Sequence, residues 1–342
     1  MTLQVTQVAD RVSVSWQQQL QQAIKTPLAL AANIGVELKD LPYSLGAQED
    51  FPLLVPHAFA ARMKRGDPQD PLLRQVLASN DELLVAQGFG IDPVGEVEQN
   101  SGDTAVIKKY HGRALLVLTG QCAVNCRYCF RRHYPYDNQR QSTRERDATL
   151  NKLLDDEALN EIILSGGDPL VLPDKSLAGI FQLLERRRPD VTLRIHSRLP
   201  IVIPDRITDS FLALVGESKL KVVLVLHANH PQEIDRSVAR AIGALKSRGV
   251  LVLNQSVLLA KVNDDAKVLA ELSDRLFAAG ALPYYIHLLD RVAGAVHFEV
   301  EEEKAQKIVG ELAECRPGYL VPKLARELSG AGSKRELAPL YD

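Results

Sequence analysis

Hydrophobic and polar positions follow a repeating order along the second two thirds of the chain. Apolar, β-branched runs of strand length alternate with segments whose apolar residues are spaced three and four apart, as on one face of a helix. The runs begin near Ala114, Glu161, Thr192, Lys221, Leu251 and Pro283. After the first, they recur about 30 residues apart, the length of a βαβ unit, whose crossover makes successive strands parallel. Six such units are too few for a closed eight-stranded barrel. The pattern therefore predicts an α/β fold with an incomplete (β/α)6 barrel.

The first hundred residues follow a different pattern. Apolar spacing typical of helices occurs at 14–24 and 28–34, and Asp-Pro dipeptides interrupt the segment further on. We expect three regions: an N-terminal helical extension at 1–105, the partial barrel at 106–300 and a short C-terminal segment at 301–342. The extension carries no visible catalytic constellation. We expect it to cap the barrel, with a partner-binding role as the alternative.

Charge and composition narrow the class of protein. The chain has 43 acidic and 41 basic residues, a net charge of −2, so nothing favours a nucleic-acid or membrane surface. No apolar run is long enough to span a bilayer, and the N-terminus lacks the basic and apolar regions of a secretory signal. Three of the four cysteines are clustered, unlike a disulfide framework. These features predict a cytoplasmic protein. Cys315, alone on a helical stretch, is expected to be a buried thiol.

The clustered cysteines follow the first predicted strand, in the order Cys122-Ala-Val-Asn-Cys126-Arg-Tyr-Cys129. Three thiolates on one loop suit three irons of a [4Fe–4S] cluster and leave the fourth iron open, whereas ferredoxin-type clusters and structural zinc sites use four protein ligands. An open iron can chelate the amino and carboxylate groups of S-adenosylmethionine and pass it one electron. A zinc knuckle or buried free thiols are the alternatives. With Tyr128 before the last cysteine, this segment resembles the cluster loop of radical S-adenosylmethionine enzymes, which have a partial barrel.

Polar residues follow the later predicted strands, where ligands gather in α/β folds. The second strand ends in Gly166-Gly167-Asp168, which by itself is typical of a turn. In this position it resembles the family's Gly-Gly-Glu-like motif, which binds the methionine amino group. Ser197 and Gln255 follow the third and fifth strands, and we assign both to the cofactor cavity. A hydrogen bond at the strand end is an equal alternative for either one.

Five further segments resemble lysine 2,3-aminomutases. They lie at 129–133, 165–170, 198–207, 230–234 and 254–257, and the resemblance extends from about residue 85 to 338. It implies pyridoxal 5′-phosphate beside the [4Fe–4S] cluster and S-adenosylmethionine, and therefore a lysine that holds the aldehyde. Lys334 matches that lysine in the segment Glu327-Leu-Ser-Gly-Ala-Gly-Ser-Lys334, where the family has four glycines. Lys109 and Tyr110 fall near its phosphate-binding residues.

The resemblance also implies a substrate site. Arg131, two residues beyond the last cysteine, matches the arginine that clamps the substrate α-carboxylate, a task that suits a bidentate guanidinium. Asp290 matches a carboxylate that binds the substrate ε-ammonium. Glu327 falls where the family has a second such carboxylate, an aspartate. Two carboxylates around a cation favour lysine over a neutral amino acid.

The implied reaction is a 1,2-amino shift in L-lysine. A 5′-deoxyadenosyl radical takes the β-hydrogen of lysine held as an imine on pyridoxal phosphate, and hydrogen return yields β-lysine. The short form of the chain resembles the bacterial enzymes that supply (R)-β-lysine for modification of translation elongation factor P by a companion ligase. A flavodoxin- or ferredoxin-type protein is the expected reductant.

Three alternatives stay open at this point. The protein could be a catabolic or biosynthetic 2,3-aminomutase for free lysine, glutamate or another amino acid. It could be a non-enzymatic, cluster-bearing scaffold for translation, which has no need of a pyridoxal lysine. A radical enzyme without pyridoxal phosphate, such as a methylthiotransferase, is the third.

Overall fold

The structure, a computed structural model, describes residues 14–99, 105–108, 110–136 and 141–341. Six short helices form its N-terminal part: α1 Trp16–Gln21, α2 Pro27–Ile34, α3 Leu45–Asp50, α4 His57–Ala60, α5 Pro71–Arg74 and α6 Glu96–Gln99. Side chains cap several of them, because the first N–H groups of a helix have no partner within it. Thr26 accepts from Ala29 N, and Asp70 accepts from Leu72 N and Leu73 N. The helices predicted within 14–34 are confirmed.

The described residues from 105 onward contain one nine-stranded sheet. Its strands are β1 Val106–Ile107, β2 Arg113–Thr119, β3 Glu161–Gly166, β4 Thr192–Ser197, β5 Lys221–His227, β6 Leu251–Val257, β7 Leu282–His287, β8 Lys323–Arg326 and β9 Arg335–Glu336. They lie in chain order across the sheet. Strands β2 to β8 are parallel, whereas β1 and β9 are antiparallel at the two edges. The six predicted strands are β2 to β7, so the α/β partial barrel is confirmed.

Helices connect the parallel strands. They are α7 Thr143–Leu154, α8 Asp174–Arg187, α9 Leu199–Val202, α10 Asp209–Gly216, α11 Arg236–Ser247, α12 Ala266–Ala279 and α13 Glu302–Cys315. Their apolar faces pack on the sheet: Leu177, Ile180, Phe181 and Leu184 of α8 are all buried. Trp16 and Phe59 of the N-terminal helices belong to the same hydrophobic core as Leu116 and Leu164 of the sheet. The boundaries at 105 and 300 stay a prediction.

Alternation along the strands decides what faces the barrel interior. Leu193 and Ile195 of β4 are fully buried, whereas the intervening Arg194 and His196 line the interior cavity. The period of two in a strand thus places polar groups inside while the outer face packs on helices.

Two features differ from the sequence analysis. Strand β8, in the predicted C-terminal segment, continues the parallel sheet beyond six strands. Cys315 is exposed at the end of α13, so the prediction of a buried thiol is wrong. Its sulfur donates to Leu312 O of the last helical turn, 3.4 Å away, on the solvent side of the amphipathic helix.

Within the described ranges, no helix is long and apolar enough to cross a membrane.

Candidate functional site

A cavity of about 640 Å³ lies inside the partial barrel, at the carboxyl ends of its strands. All the predicted site residues that the structure describes line it: Cys122, Cys126, Cys129, Tyr110, Gly166, Gly167, Asp168, Ser197, Gln255, Arg131, Asp290, Glu327 and Lys334. Lys109 lies outside the described residues. Side chains separated by more than 200 residues in sequence therefore share one space, as the topology predicts.

The three cysteines form one wall of this cavity. Burial, and then the neighbouring thiols, raise the pKa of Cys129 to about 11 and that of Cys122 well above its usual value. Without a bound cation these thiols hold their protons at neutral pH, and metal loading must release them. Nowhere in the described part of the chain do three His, Cys, Asp or Glu side chains converge as a single-ion site requires. The three sulfurs around a cavity provide the soft ligands that an iron–sulfur cluster takes.

A buried polar network supports the cysteine wall from behind. Arg198 Nη1 lies 2.8 Å from Cys126 Sγ and 2.6 Å from the Tyr128 hydroxyl. Its other nitrogen, Nη2, donates to Gln75 Oε1 at 2.8 Å and to Glu233 Oε2 at 3.0 Å. The Arg198 guanidinium therefore contacts the cysteine loop, Gln75 and Glu233. Its positive charge faces Cys126 Sγ, where negative charge develops on metal binding.

The loop after β3 lies close to the cysteine loop. A Cβ at Gly166 would overlap Thr119 O, and one at Gly167 would overlap Gln121 O, so both positions require glycine. Gly166 also has φ of 123°. The backbone N–H groups of Gly167 and Asp168 donate to Thr119 O and Gln121 O, at 2.7 and 2.8 Å. These contacts join the predicted methionine-binding motif to the start of the cysteine loop.

The Asp168 carboxylate is already used by the protein. Oδ1 accepts from Ser197 Oγ at 2.7 Å and from Leu170 N at 3.0 Å. Oδ2 accepts from Arg198 N at 2.8 Å and from Leu199 N at 2.9 Å. Four donors account for the lone pairs of a carboxylate. Asp168 and Ser197 therefore fix the ends of β3 and β4 against each other, and ligand contact by the glycine motif is left to its backbone.

Lys334 also lines the cavity, beside Glu327. Its Nζ donates to Glu327 Oε2 at 2.8 Å, and the Tyr110 hydroxyl donates to Oε1 at 2.5 Å. Burial and the Glu327 charge raise the pKa of Tyr110, so the phenol keeps its proton. Burial, reinforced by Lys334, lowers the pKa of His287 to about 3, which keeps this imidazole neutral. Glu327 thus already holds an ammonium, that of Lys334, while Asp290 lines the same cavity.

Arg131 is also paired within the protein. Its Nε and Nη2 donate to the two carboxylate oxygens of Glu96, at 2.7 and 3.0 Å. Its Nη1 donates to Ser165 Oγ and Gly166 O, at 3.0 and 3.2 Å. The bidentate position of Arg131 that was predicted to bind the substrate carboxylate is therefore occupied by Glu96. Glu96 belongs to the N-terminal extension, in which the sequence showed no site residue.

Several residues at the site were missed by sequence reasoning. Glu96, Gln75 and Phe51 belong to the N-terminal part and reach the cysteine loop or the cavity wall. The sequence near these three residues contains one local signal, Asp92-Pro93 before Glu96. This dipeptide predicts a turn and does not predict a ligand-binding residue. His227 and Arg198, to which the sequence assigned no role, also line the cavity.

Comparison with known proteins agrees with this geometry. Residues 116–272 match the Radical SAM superfamily. The chain is 46% identical over 323 residues to the L-lysine 2,3-aminomutase of Escherichia coli (strain K12), with 94% of each chain covered. It is 44% identical over 324 residues to that of Haemophilus influenzae, covering 95% of this chain and 96% of the relative. Identity to the Clostridium subterminale enzyme is 31% over 336 residues, covering 98% and 80%. The chain belongs to the L-lysine 2,3-aminomutase family of radical SAM enzymes.

Proposed function

We propose that this protein is an L-lysine 2,3-aminomutase, an isomerase that converts L-α-lysine to β-lysine. One observation carries the proposal: a single cavity is lined by three cysteines and by Lys334. The cysteines suit a [4Fe–4S] cluster with S-adenosylmethionine, and a lysine in the same cavity suits pyridoxal phosphate. When bound, these groups supply one-electron chemistry and stabilisation of a radical next to the amino nitrogen. The protein positions them and excludes water.

Lys334 is proposed to hold the pyridoxal aldehyde. Its ammonium must lose a proton before Nζ can attack a carbonyl. Glu327 Oε2, 2.8 Å from Nζ, is placed to accept that proton and to return it when substrate replaces the lysine. Tyr110 Oη fixes the other carboxylate oxygen, which keeps Oε2 directed at Nζ. We assign phosphate binding to Lys109 alone, because the single O–H of Tyr110 is donated to Glu327.

Arg131 and Asp290 are proposed to bind the two ends of lysine. A cation at Arg131 suits the α-carboxylate, and a carboxylate at Asp290 suits the ε-ammonium. Glu327 supplies the second acidic group on the Lys334 side. The backbone at 166–168, with Ser197 and Gln255 nearby, is the proposed site of S-adenosylmethionine.

The biological role we propose is supply of (R)-β-lysine for modification of translation elongation factor P by a companion ligase. The reductant is proposed to be of the flavodoxin or ferredoxin type, and the location cytoplasmic. Support comes from the two relatives matched over nearly their whole length, at 46% and 44% identity, against 31% for the clostridial enzyme. Elongation factor P and its ligase are the proposed partners.

The test is an anaerobic assay. The protein is reconstituted with iron and sulfide and supplied with S-adenosylmethionine, pyridoxal phosphate, dithionite and L-lysine. β-Lysine is expected from the wild type and from neither Cys126→Ala nor Lys334→Ala. Lys334→Ala is also expected to lose the pyridoxal absorbance of the protein while keeping its iron.

Two other outcomes would redirect the assignment. Cleavage of S-adenosylmethionine without β-lysine, followed by turnover of L-glutamate or another amino acid, would favour an aminomutase of different substrate. A protein that takes up a cluster but neither binds pyridoxal phosphate nor cleaves S-adenosylmethionine would favour the scaffold.

A further inference from the structure

Glu96 and Arg131 form a buried ion pair at the junction of the N-terminal extension and the cavity. The side chains are 4% and 7% exposed. Both oxygens of Glu96 accept from Arg131, in the side-on bidentate geometry that gives the strongest guanidinium–carboxylate pairs. Glu96 is the first residue of helix α6, while Arg131 follows the last cysteine by two residues.

The hydrogen bonds of Arg131 determine what it can offer a ligand. A guanidinium has five N–H groups. Two donate to Glu96, and two, on Nη1, donate to Ser165 Oγ and Gly166 O. One N–H, on Nη2, has no partner among the residues that the structure describes. Since Arg131 lines the cavity, one donor remains for a ligand there, and the bidentate grip is occupied.

The geometry favours a permanent pair over one that substrate displaces. Moving Glu96 away would leave a buried charge uncompensated, which is strongly destabilising. Asp92 also fixes the start of α6, because its two oxygens accept from Glu96 N and Val97 N, both at 2.9 Å. The Glu96 backbone therefore cannot withdraw without breaking this cap.

We infer that Glu96 is a positioning residue for substrate binding. It holds the Arg131 guanidinium so that a single N–H of Nη2 faces the cavity, and that N–H binds the α-carboxylate of the amino acid substrate. This inference rests on the proposed function, which assigns Arg131 to that carboxylate. It also gives the N-terminal extension a direct share in the site.

The test measures how Glu96→Gln changes lysine binding. The amide keeps the shape of the side chain but replaces one of the two acceptor oxygens by a donor. Only one of the two Arg131 nitrogens, Nε or Nη2, then keeps its acceptor. We expect KM for L-lysine to rise about tenfold, with kcat within about twofold of the wild type. Inhibition by L-lysinamide, which lacks the carboxylate, should be unchanged.

Three further variants separate positioning from general damage. Glu96→Gln in an Arg131→Gln background should raise KM little further, because no guanidinium is left to orient. Asp274→Asn is the control for geometry. It breaks a partly exposed side-on pair between Asp274 of α12 and Arg316, which follows α13, with Nε and Nη2 donating to the two oxygens at 2.9 and 2.7 Å. Neither residue lines the cavity. Asp274→Asn should leave KM unchanged. If Glu96→Gln does not fold, Glu96→Asp keeps the charge and should raise KM by a smaller factor.

The outcomes distinguish the two levels of the proposal. If the wild type makes no β-lysine, the proposed function fails and this inference with it. If the wild type is active but Glu96→Gln leaves KM unchanged, or weakens lysine and lysinamide equally, only the positioning role is overturned. A lower KM in Glu96→Gln would overturn it as well, since it would mean that Glu96 competes with the substrate carboxylate for Arg131.

Discussion

His287 shows how a single residue is set by its surroundings at this site. It ends β7 and faces the cavity, with Lys334 and Glu327 as its charged neighbours. Burial first, and the Lys334 cation second, lower the pKa of its imidazole to about 3. A neutral imidazole beside an ammonium avoids like-charge repulsion. His196 and His227 line the same cavity, and burial lowers the pKa of each of them as well.

A pH dependence of stability follows. An unfolded histidine titrates near 6.5. Because the folded His287 pKa is lower, the unfolded state binds more protons as pH falls below 6.5, and stability is lost progressively toward pH 3. Allowing for the part of the ring open to the cavity, His287→Asn should reduce the loss between pH 7.5 and pH 5 by about 1 to 2 kcal/mol. Urea unfolding of the metal-free protein at both pH values measures this, and equal losses in variant and wild type would contradict it.

At the scale of elements, the cysteine loop is held from outside by the N-terminal helices. Glu82 is the centre of this contact. Its oxygens accept from Arg127 Nε at 2.8 Å and from Arg132 Nη1 at 3.0 Å, and these arginines lie on either side of Cys129. All three side chains are at most 1% exposed. Arg127 also donates to the carbonyl oxygens of Ala47 and Phe51. These contacts therefore fix the shape of the cysteine loop.

We expect Glu82→Gln to loosen this loop. Among the described residues, the change leaves Arg127 without a carboxylate partner and Arg132 with Asp50 alone, at a cost of about 3 to 5 kcal/mol for a fully buried pair. The variant should have a lower melting temperature, should take up less iron on reconstitution and should lose its iron faster to a chelator. Asp274→Asn, which disrupts the ion pair between Asp274 and Arg316 away from the cysteine loop, serves as control. Iron retention equal to that of the control would count against a role in the cluster loop.

Sequence patterns predicted the elements whose signal is local. The β-branched runs located β2 to β7, and cysteine spacing located the loop after β2. Strand β8 escaped because it is only four residues long and begins with the exposed Lys323. Glu82 and Glu96 escaped because the arginine partners of each lie 35 to 50 residues away in the sequence. Such pairing is a property of tertiary packing, which neither periodicity nor spacing encodes.

At the scale of the whole molecule, the partial barrel is joined across its open side by side chains. Strands β1 and β9 are the two edges of the sheet, and within the described ranges no backbone ladder connects them. Tyr110 lies in the connection between β1 and β2, and Glu327 follows β8 directly. Their hydrogen bond of 2.5 Å therefore spans the gap, and Lys334 shares the same carboxylate. Tyr110, Glu327 and Lys334 therefore form one cluster, which both links the two edges of the sheet and contains the proposed pyridoxal lysine.

Removing the Tyr110 hydroxyl should loosen one edge of the barrel without disturbing its centre. In Tyr110→Phe the ring remains, but the link across the gap loses a hydrogen bond to a charged group, worth roughly 1.5 to 3 kcal/mol. Backbone amides of β8 and β9 should then exchange with deuterium about tenfold faster, because opening of that edge becomes easier, while those of β3 to β6 keep the wild-type rate. Hydrogen exchange read by mass spectrometry on the full chain measures both regions.

Tyr319→Phe, at an exposed tyrosine that packs on Phe277, is the matched control and should change neither. Faster exchange throughout the sheet would indicate general destabilisation, and unchanged exchange at β8 and β9 would mean that the edges hold without Tyr110.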